Sequence, residues 1–283
     1  MLRNSNPGTV LGVILALLVS ESAWAGALCA VYIDVSPSVS AEWRRAFVDD
    51  MSRTFPTFVD AFGCGRVLIV PFADEGPFAR AAFDQDVPLR PTEEECTPTT
   101  PGAPDASRRW EALLANVNGL NEAIKENHQK ERQKCLRPLV ARHEADVRDF
   151  YRAAREAIES LGAVPPRGRC TALASLAAHV LDPRAAGTRS PRPPQGLVAV
   201  FGTDGISSCS DEPSEISVAS DATTVFVLLP TTAGTAAAVQ DAPERATGWG
   251  KRIQGLTVLL GSELSDWRWR LVATVANTTH PGR

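Results

Sequence analysis

The residues best suited to chemistry in this chain are oxygen donors at three separate places. Asp34-Val-Ser36-Pro-Ser38 sets one carboxylate and two hydroxyls on a short turn, Thr171 lies within Arg-Cys-Thr-Ala-Leu, and Asp204 stands between Thr203 and Gly205. Hard divalent cations such as Mg²⁺ take oxygen ligands in octahedral geometry and keep several waters, so hydroxyls backed by carboxylates suit them. In that arrangement Ser36 and Ser38 bind the ion directly, Asp34 and Asp204 hold metal-bound water and supply negative charge, and Thr171 approaches from an opposite loop. With few direct carboxylates the ion stays electron-poor and accepts an acidic group from another molecule. A lone Asp-x-Ser-x-Ser says little, because Asp and Ser also make turns and helix caps; three elements in order, each at a strand end or helix start, say more.

The surrounding pattern supplies elements that can bring those places together. Near-continuous apolar runs at Ala30–Asp34, Val67–Phe72, Leu197–Phe201 (extended through Gly202-Thr203), Thr224–Leu229 and Leu256–Leu260 read as strands covered on both faces. A weaker stretch from Ala79 to Val87 fits a short edge strand. The spacing of Trp43, Phe47, Met51 and Phe55 predicts a helix over Ala41–Phe55, with Ser40 as its cap. A second helix runs on from Thr171 until Pro183, a third over Ala236–Ile253 is interrupted at Pro243 and Gly248-Trp-Gly250, and a last spans Asp266–Val275. If that last segment is helical, one of Trp267 and Trp269 faces solvent. A Pro/Thr/Glu-rich stretch at about 88–104 reads as an exposed loop. Ser107–Leu161 then reads as a helical hairpin broken at Pro138, either covering a sheet face or acting as a binding arm. Alternation of strand and helix predicts an α/β three-layer, Rossmann-like sandwich: a mainly parallel central sheet flanked by helices, with an insertion at about 88–161. Ligands of such sheets bind beyond the carboxyl ends of the strands, where Asp34, Thr171 and Asp204 all fall.

Across about residues 29–275 the sequence resembles the von Willebrand factor A family, whose metal-ion-dependent adhesion site runs D-x-S-x-S, then a distant Thr, then an Asp in T-D-G or S-D-G. Asp34, Ser36 and Ser38 match the first part, Thr171 the second, and Thr203-Asp204-Gly205 the third. The stretch from Ala73 to Gly168 departs from the family's usual spacing. The resemblance implies metal-dependent binding of a protein ligand that offers an acidic side chain, through Mg²⁺ or else Mn²⁺ or Ca²⁺, and no enzymatic activity.

The rest of the chain narrows the function classes. A short polar start with Arg3, an apolar run from Val10 to Val19 and Ala23-Trp24-Ala25 read as a signal peptide over 1–25, leaving a mature domain over 26–283 that is periplasmic or secreted. The apolar run falls short of the roughly 20 residues that span a bilayer, so an uncleaved anchor is the lesser reading and no stable membrane insertion is expected. All six cysteines lie in the mature part, as expected of disulfides. Six cysteines allow about 15 pairings; neighbourhood in the expected fold suggests Cys29 with Cys64, Cys96 with Cys135 and Cys170 with Cys209. Zinc is disfavoured, since no Cys-x-x-Cys occurs and His128, His143, His179 and His280 show no ligand spacing. A formal net charge of -4 with no basic cluster argues against nucleic acid. A metal-dependent hydrolase has little support: there is no Gly-x-Ser-x-Gly elbow or phosphate-binding glycine loop, and Gly63-Cys-Gly65 precedes a strand. A structural part of an envelope assembly, with a degenerate site and the hairpin as its contact surface, is the remaining alternative.

Overall fold

The computed structural model describes residues 26–96, 117–182, 196–209, 213, 215–220, 222–229, 235–260 and 264–279. The expected signal peptide lies outside them, as do residues 97–116, which include about half of the expected exposed loop and the start of the expected hairpin. The chain divides into two compact units: Met1–Asp86 with Ala154–Arg283, and Val87–Ala153.

In the first unit the chain runs β1 (Ala27–Asp34), α1 (Ala41–Phe62), β2 (Cys64–Phe72), a 3-10 turn (Gly76–Phe78) and β3 (Phe83–Asp86). After α2 (Val117–Gly162), which begins in the other unit, it continues through α3 (Leu173–Leu181), β4 (Leu197–Thr203), β5 (Ala222–Leu228), α4 (Thr235–Arg252), β6 (Thr257–Leu260) and α5 (Asp266–Thr279). The strands form one six-stranded sheet in the order β3-β2-β1-β4-β5-β6. All neighbours are parallel except β3, which pairs antiparallel at the edge. Strands β1 and β4 are buried almost throughout, which is why their sequences lack alternation.

Alternate side chains of the strands feed two cores. On one face Tyr32, Phe72, Phe201 and Phe226 pack with Leu173 and Leu176 of α3, Trp249 of α4 and Ile253 just beyond it. On the other, Phe47 of α1 lies so close to Gly202 that a Cβ there would sit 2.5 Å from its ring, and Phe58 of α1 meets Trp269 of α5 edge-on. Trp269 is fully buried and donates its Nε1–H to Thr54 Oγ1 at 2.9 Å, while Trp267 is 62% exposed, the division expected of two tryptophans two residues apart on a helix. This is the expected three-layer α/β sandwich.

In the second unit a 3-10 turn at Glu93–Cys96 is joined to α2 by the Cys96–Cys135 disulfide. Exposed pairs such as Lys130 with Glu126 and Arg152 with Asp149 line the helix at i,i+4 and i,i+3 spacing.

Three expectations are corrected. Pro138 does not break the helix: α2 runs unbroken from Val117 to Gly162, so the hairpin turn expected there is absent. An internal proline costs about 3 kcal/mol, but strong helix formers on both sides (Glu, Lys, Arg, Gln, Leu, Ala) extend a helix that is already nucleated. Likewise α4 continues through Pro243, Gly248 and Gly250, because burial of Trp249 offsets the two poor helix formers beside it. Ser40 occupies the cap position of α1 without a side-chain cap; only its carbonyl is used, accepting from the Arg44 N–H at 2.9 Å. All three suggested disulfides are formed: Cys29–Cys64, Cys96–Cys135 and Cys170–Cys209. Among the described residues no helix is long and apolar enough to cross a membrane.

Candidate metal centre

Asp34 ends the central strand, with Phe72 of β2 as its register partner, and the next residue locks the turn: Val35 N–H donates to Phe72 O at 2.9 Å. The Asp-x-Ser spacing then does local work, since Asp34 Oδ1 accepts the Ser36 N–H at 2.9 Å. Ser36 Oγ and Ser38 Oγ are 2.9 Å apart, so the turn presents two hydroxyls side by side. On the β4 side Thr203 Oγ1 donates to Asp34 Oδ2 at 2.7 Å and accepts the Gly205 N–H at 3.1 Å. Asp204 repeats the local device of Asp34, its Oδ1 accepting the Ile206 N–H at 2.9 Å. Gly205 has φ +74°, and a Cβ there would meet Leu228 Cδ2 at 2.9 Å, so only glycine fits the turn. From behind, Trp249 Nε1–H donates to Gly205 O at 2.9 Å.

The two carboxylates differ in one respect. Both are fully buried, and both oxygens of Asp34 are hydrogen-bonded, whereas Asp204 Oδ2 is buried and meets no hydrogen-bond partner among the described residues. Burial, and then the charge of Asp204, push the Asp34 carboxyl up to about 6, against the hydrogen bonds from Ser36 and Thr203. Burial also raises Asp204, opposed by the Ile206 amide and by the Ser38 hydroxyl, which lies near without satisfying Oδ2. Two buried acids beside each other, one with an idle oxygen, leave room for a cation in addition to the charges of Arg245 near Asp204 and Arg44 near Asp34.

Thr171 stands in the neighbouring loop, buried, and its backbone ties that loop to its neighbours. Ala172 N–H donates to Ala73 O at 2.9 Å just past β2, and Ser208 N–H donates to Thr171 O at 2.9 Å. Thr171 N–H donates to Ser208 Oγ at 3.0 Å, and Ser207 Oγ accepts the Ala174 N–H at 2.9 Å, capping α3 from another loop. The structure thus joins Asp34, Ser36 and Thr203 through side chains and sets Ser38 and Asp204 against them. Thr171 is linked to the group through Ser207 and Ser208 rather than by its own hydroxyl.

Sequence reasoning missed several supporting residues. In the sequence Thr203 stands only as part of its motif, and as a β-branched residue at a strand end it gives no sign of bridging Asp34 to Gly205. Ser207 and Ser208 read as ordinary loop polar residues. Arg44, buried on α1, donates its Nη2–H to Val164 O at 2.6 Å, and its Nε and Nη1 are unpaired among the described residues. Burial lowers its pKa while the nearby Asp34 charge raises it. Arg167 N–H donates to Val35 O at 2.9 Å, and its guanidinium meets Glu75 at 3.2 Å.

Among the described residues no three His, Cys, Asp or Glu side chains gather as a metal group. The cluster offers two carboxylates, and its remaining oxygens are hydroxyls. That donor set fits a hard cation such as Mg²⁺ and not a soft one, and the idle Asp204 Oδ2 is the observation that favours the fit.

A six-stranded sheet in the order β3-β2-β1-β4-β5-β6, with one antiparallel edge, helices on both faces and this acidic turn at the end of the central strand, is the α/β arrangement that the resemblance to the von Willebrand factor A family implies. No family model matches the sequence, and no curated protein matches it. Among solved structures the chain is similar to proximal thread matrix protein 1 from the mussel byssus, with 13% identity and a TM-score of 0.43, over 90% of this chain and 48% of that one. It thus spans about half the length of that protein. It is also similar to an aerotolerance-related membrane protein from Bacteroides fragilis, with 12% identity and a TM-score of 0.38, over 89% of this chain and 100% of that one.

Proposed function

We propose that this chain is an exported binding module, periplasmic or secreted, that captures a protein partner through a divalent cation. Asp34, Ser36, Ser38, Thr171 and Asp204 would hold Mg²⁺, or Mn²⁺ or Ca²⁺ in its place. Bound there, the ion would supply an electron-poor centre for a carboxylate of the partner. The observation that carries the reading is Asp204 Oδ2, a buried carboxylate oxygen with no donor among the described residues, beside the paired hydroxyls of Ser36 and Ser38. Export is supported by three disulfides, which persist in oxidising compartments.

Binding is favoured over hydrolysis because the carboxylate at the end of β1 has no free oxygen to act as a base. Asp34 has both oxygens engaged by Ser36 and Thr203, so it is not placed to take a proton from an attacking water. The test is a Mn²⁺ titration of the full chain beside Asp204→Ala and Thr171→Ala. Saturable binding is expected for the wild type, with a loss of about 100-fold or more for a folded Asp204→Ala, a ligand-level effect at the upper end of the range for outer-shell changes. Wild-type protein that takes up no Mn²⁺, or an Asp204→Ala variant that binds it equally well, overturns the proposal.

A further inference from the structure

The loop that carries Thr171 has few ties of its own to Asp34 or Ser36. Its cap residue Ala172 makes no side-chain cap for α3, and that task falls to Ser207 across the gap. Every other tie from Thr171 to the Asp204 side ends on Ser207, Ser208 or Cys209. Cys170 immediately precedes Thr171, Cys209 closes the loop that begins at Asp204, and the disulfide between them spans 39 residues of chain. Both of its cysteines are half-buried, whereas Cys29 and Cys64 are buried.

We infer that the Cys170–Cys209 disulfide is a positioning clip for the metal site, holding the Thr171 loop against the Asp204 loop and making divalent-metal affinity sensitive to thiols. The inference rests on the metal-site reading above. A thiolate reductant attacks one sulfur and forms a mixed disulfide, with the other cysteine leaving as thiolate. A second thiol then displaces the reductant as its own disulfide, leaving two protein thiols; two electrons pass from reductant to protein. With the clip open, the Thr171 loop keeps its bonds to Ala73 and Val35, but only hydrogen bonds to Ser207, Ser208 and Cys209 hold it against the Asp204 loop, and the spacing between those two loops loosens.

The experiment titrates Mn²⁺ into the full oxidised chain and into Cys170→Ala/Cys209→Ala, with near-ultraviolet circular dichroism as the check on folding. Affinity is expected to fall about 10- to 100-fold, the range seen when supports of metal ligands are removed. Wild-type protein exposed to dithiothreitol under native conditions should lose affinity by the same factor as alkylation maps thiols at Cys170 and Cys209, and recover on reoxidation. If the double variant fails to fold, this selectively reduced wild type decides the matter by the same criterion. Unchanged affinity with the bridge open, in a chain that binds Mn²⁺ when oxidised, overturns the clip and leaves the metal site standing. Absence of Mn²⁺ binding in the oxidised wild type overturns both.

Discussion

At the amino-terminal end of β1 and β2 the chain is built for closure. Gly26 and Gly65 pack backbone on backbone, so that a Cβ on Gly65 would lie 2.7 Å from Gly26 N, and the buried Cys29–Cys64 disulfide crosses between the strands. At the carboxyl end of the same sheet two acids are buried side by side, and one of their oxygens has no donor among the described residues. The same strands thus carry a dry, covalently tied end and a polar, incompletely satisfied one. The contrast teaches where this fold places its stability and where it gives some up: buried polar groups that lack partners cost folding free energy, and they persist where a ligand can supply what is missing.

Three measurements can break or sharpen that contrast. The largest effect belongs to the closed end: Cys29→Ala/Cys64→Ala should lose about 2–5 kcal/mol in chemical denaturation. Its Mn²⁺ affinity should stay within about twofold of wild type, since independent, distant sites add; a parallel loss of affinity would show that the two ends are not separable. Next is pH. Asp34 has its carboxyl raised from 3.8 to about 6, so between those values the folded state binds more protons than the unfolded one. In EDTA, stability should therefore fall as pH rises from about 4 to about 6 and be regained on acidification, with Asp34 alone contributing about 3 kcal/mol. Asp34→Asn should flatten that slope, and a stability that rises over this window would contradict the picture of two self-repelling buried acids. The smallest effect is at Trp249→Phe, which keeps the ring packing against Phe226 but removes the bond to Gly205 O. It should cost about 1 kcal/mol in thermal or chemical melting.

The division between the two ends is also a division in what the sequence discloses. The strands were legible because burial on both faces leaves a run of apolar residues, and even the short edge strand Phe83–Asp86 left a trace in the Ala79–Val87 stretch. Asp34, Ser36, Ser38 and Asp204 were legible as a motif whose members act locally, each Asp taking the amide two residues on. What bridges different parts of the chain was not: Thr203 to Asp34, Ser207 to α3 and Trp249 to Gly205 are matches between distant segments that no local pattern records. Pro138 and Pro243 misled for the complementary reason, since proline reports a local penalty while the length and composition of the helix around it decide the outcome.

The turn after β1 is fastened from both sides, by Phe72 through the Val35 amide and by Thr203 through the Asp34 carboxylate, with Arg167 holding the Val35 carbonyl. It is the anchored member of its face: displacing it would shear the two inner neighbours of the sheet at once. If a cation binds there as proposed, any adjustment would fall to the 205–209 loop, which meets this turn through the side chains of Thr203 and Asp204, while the turn itself stays still.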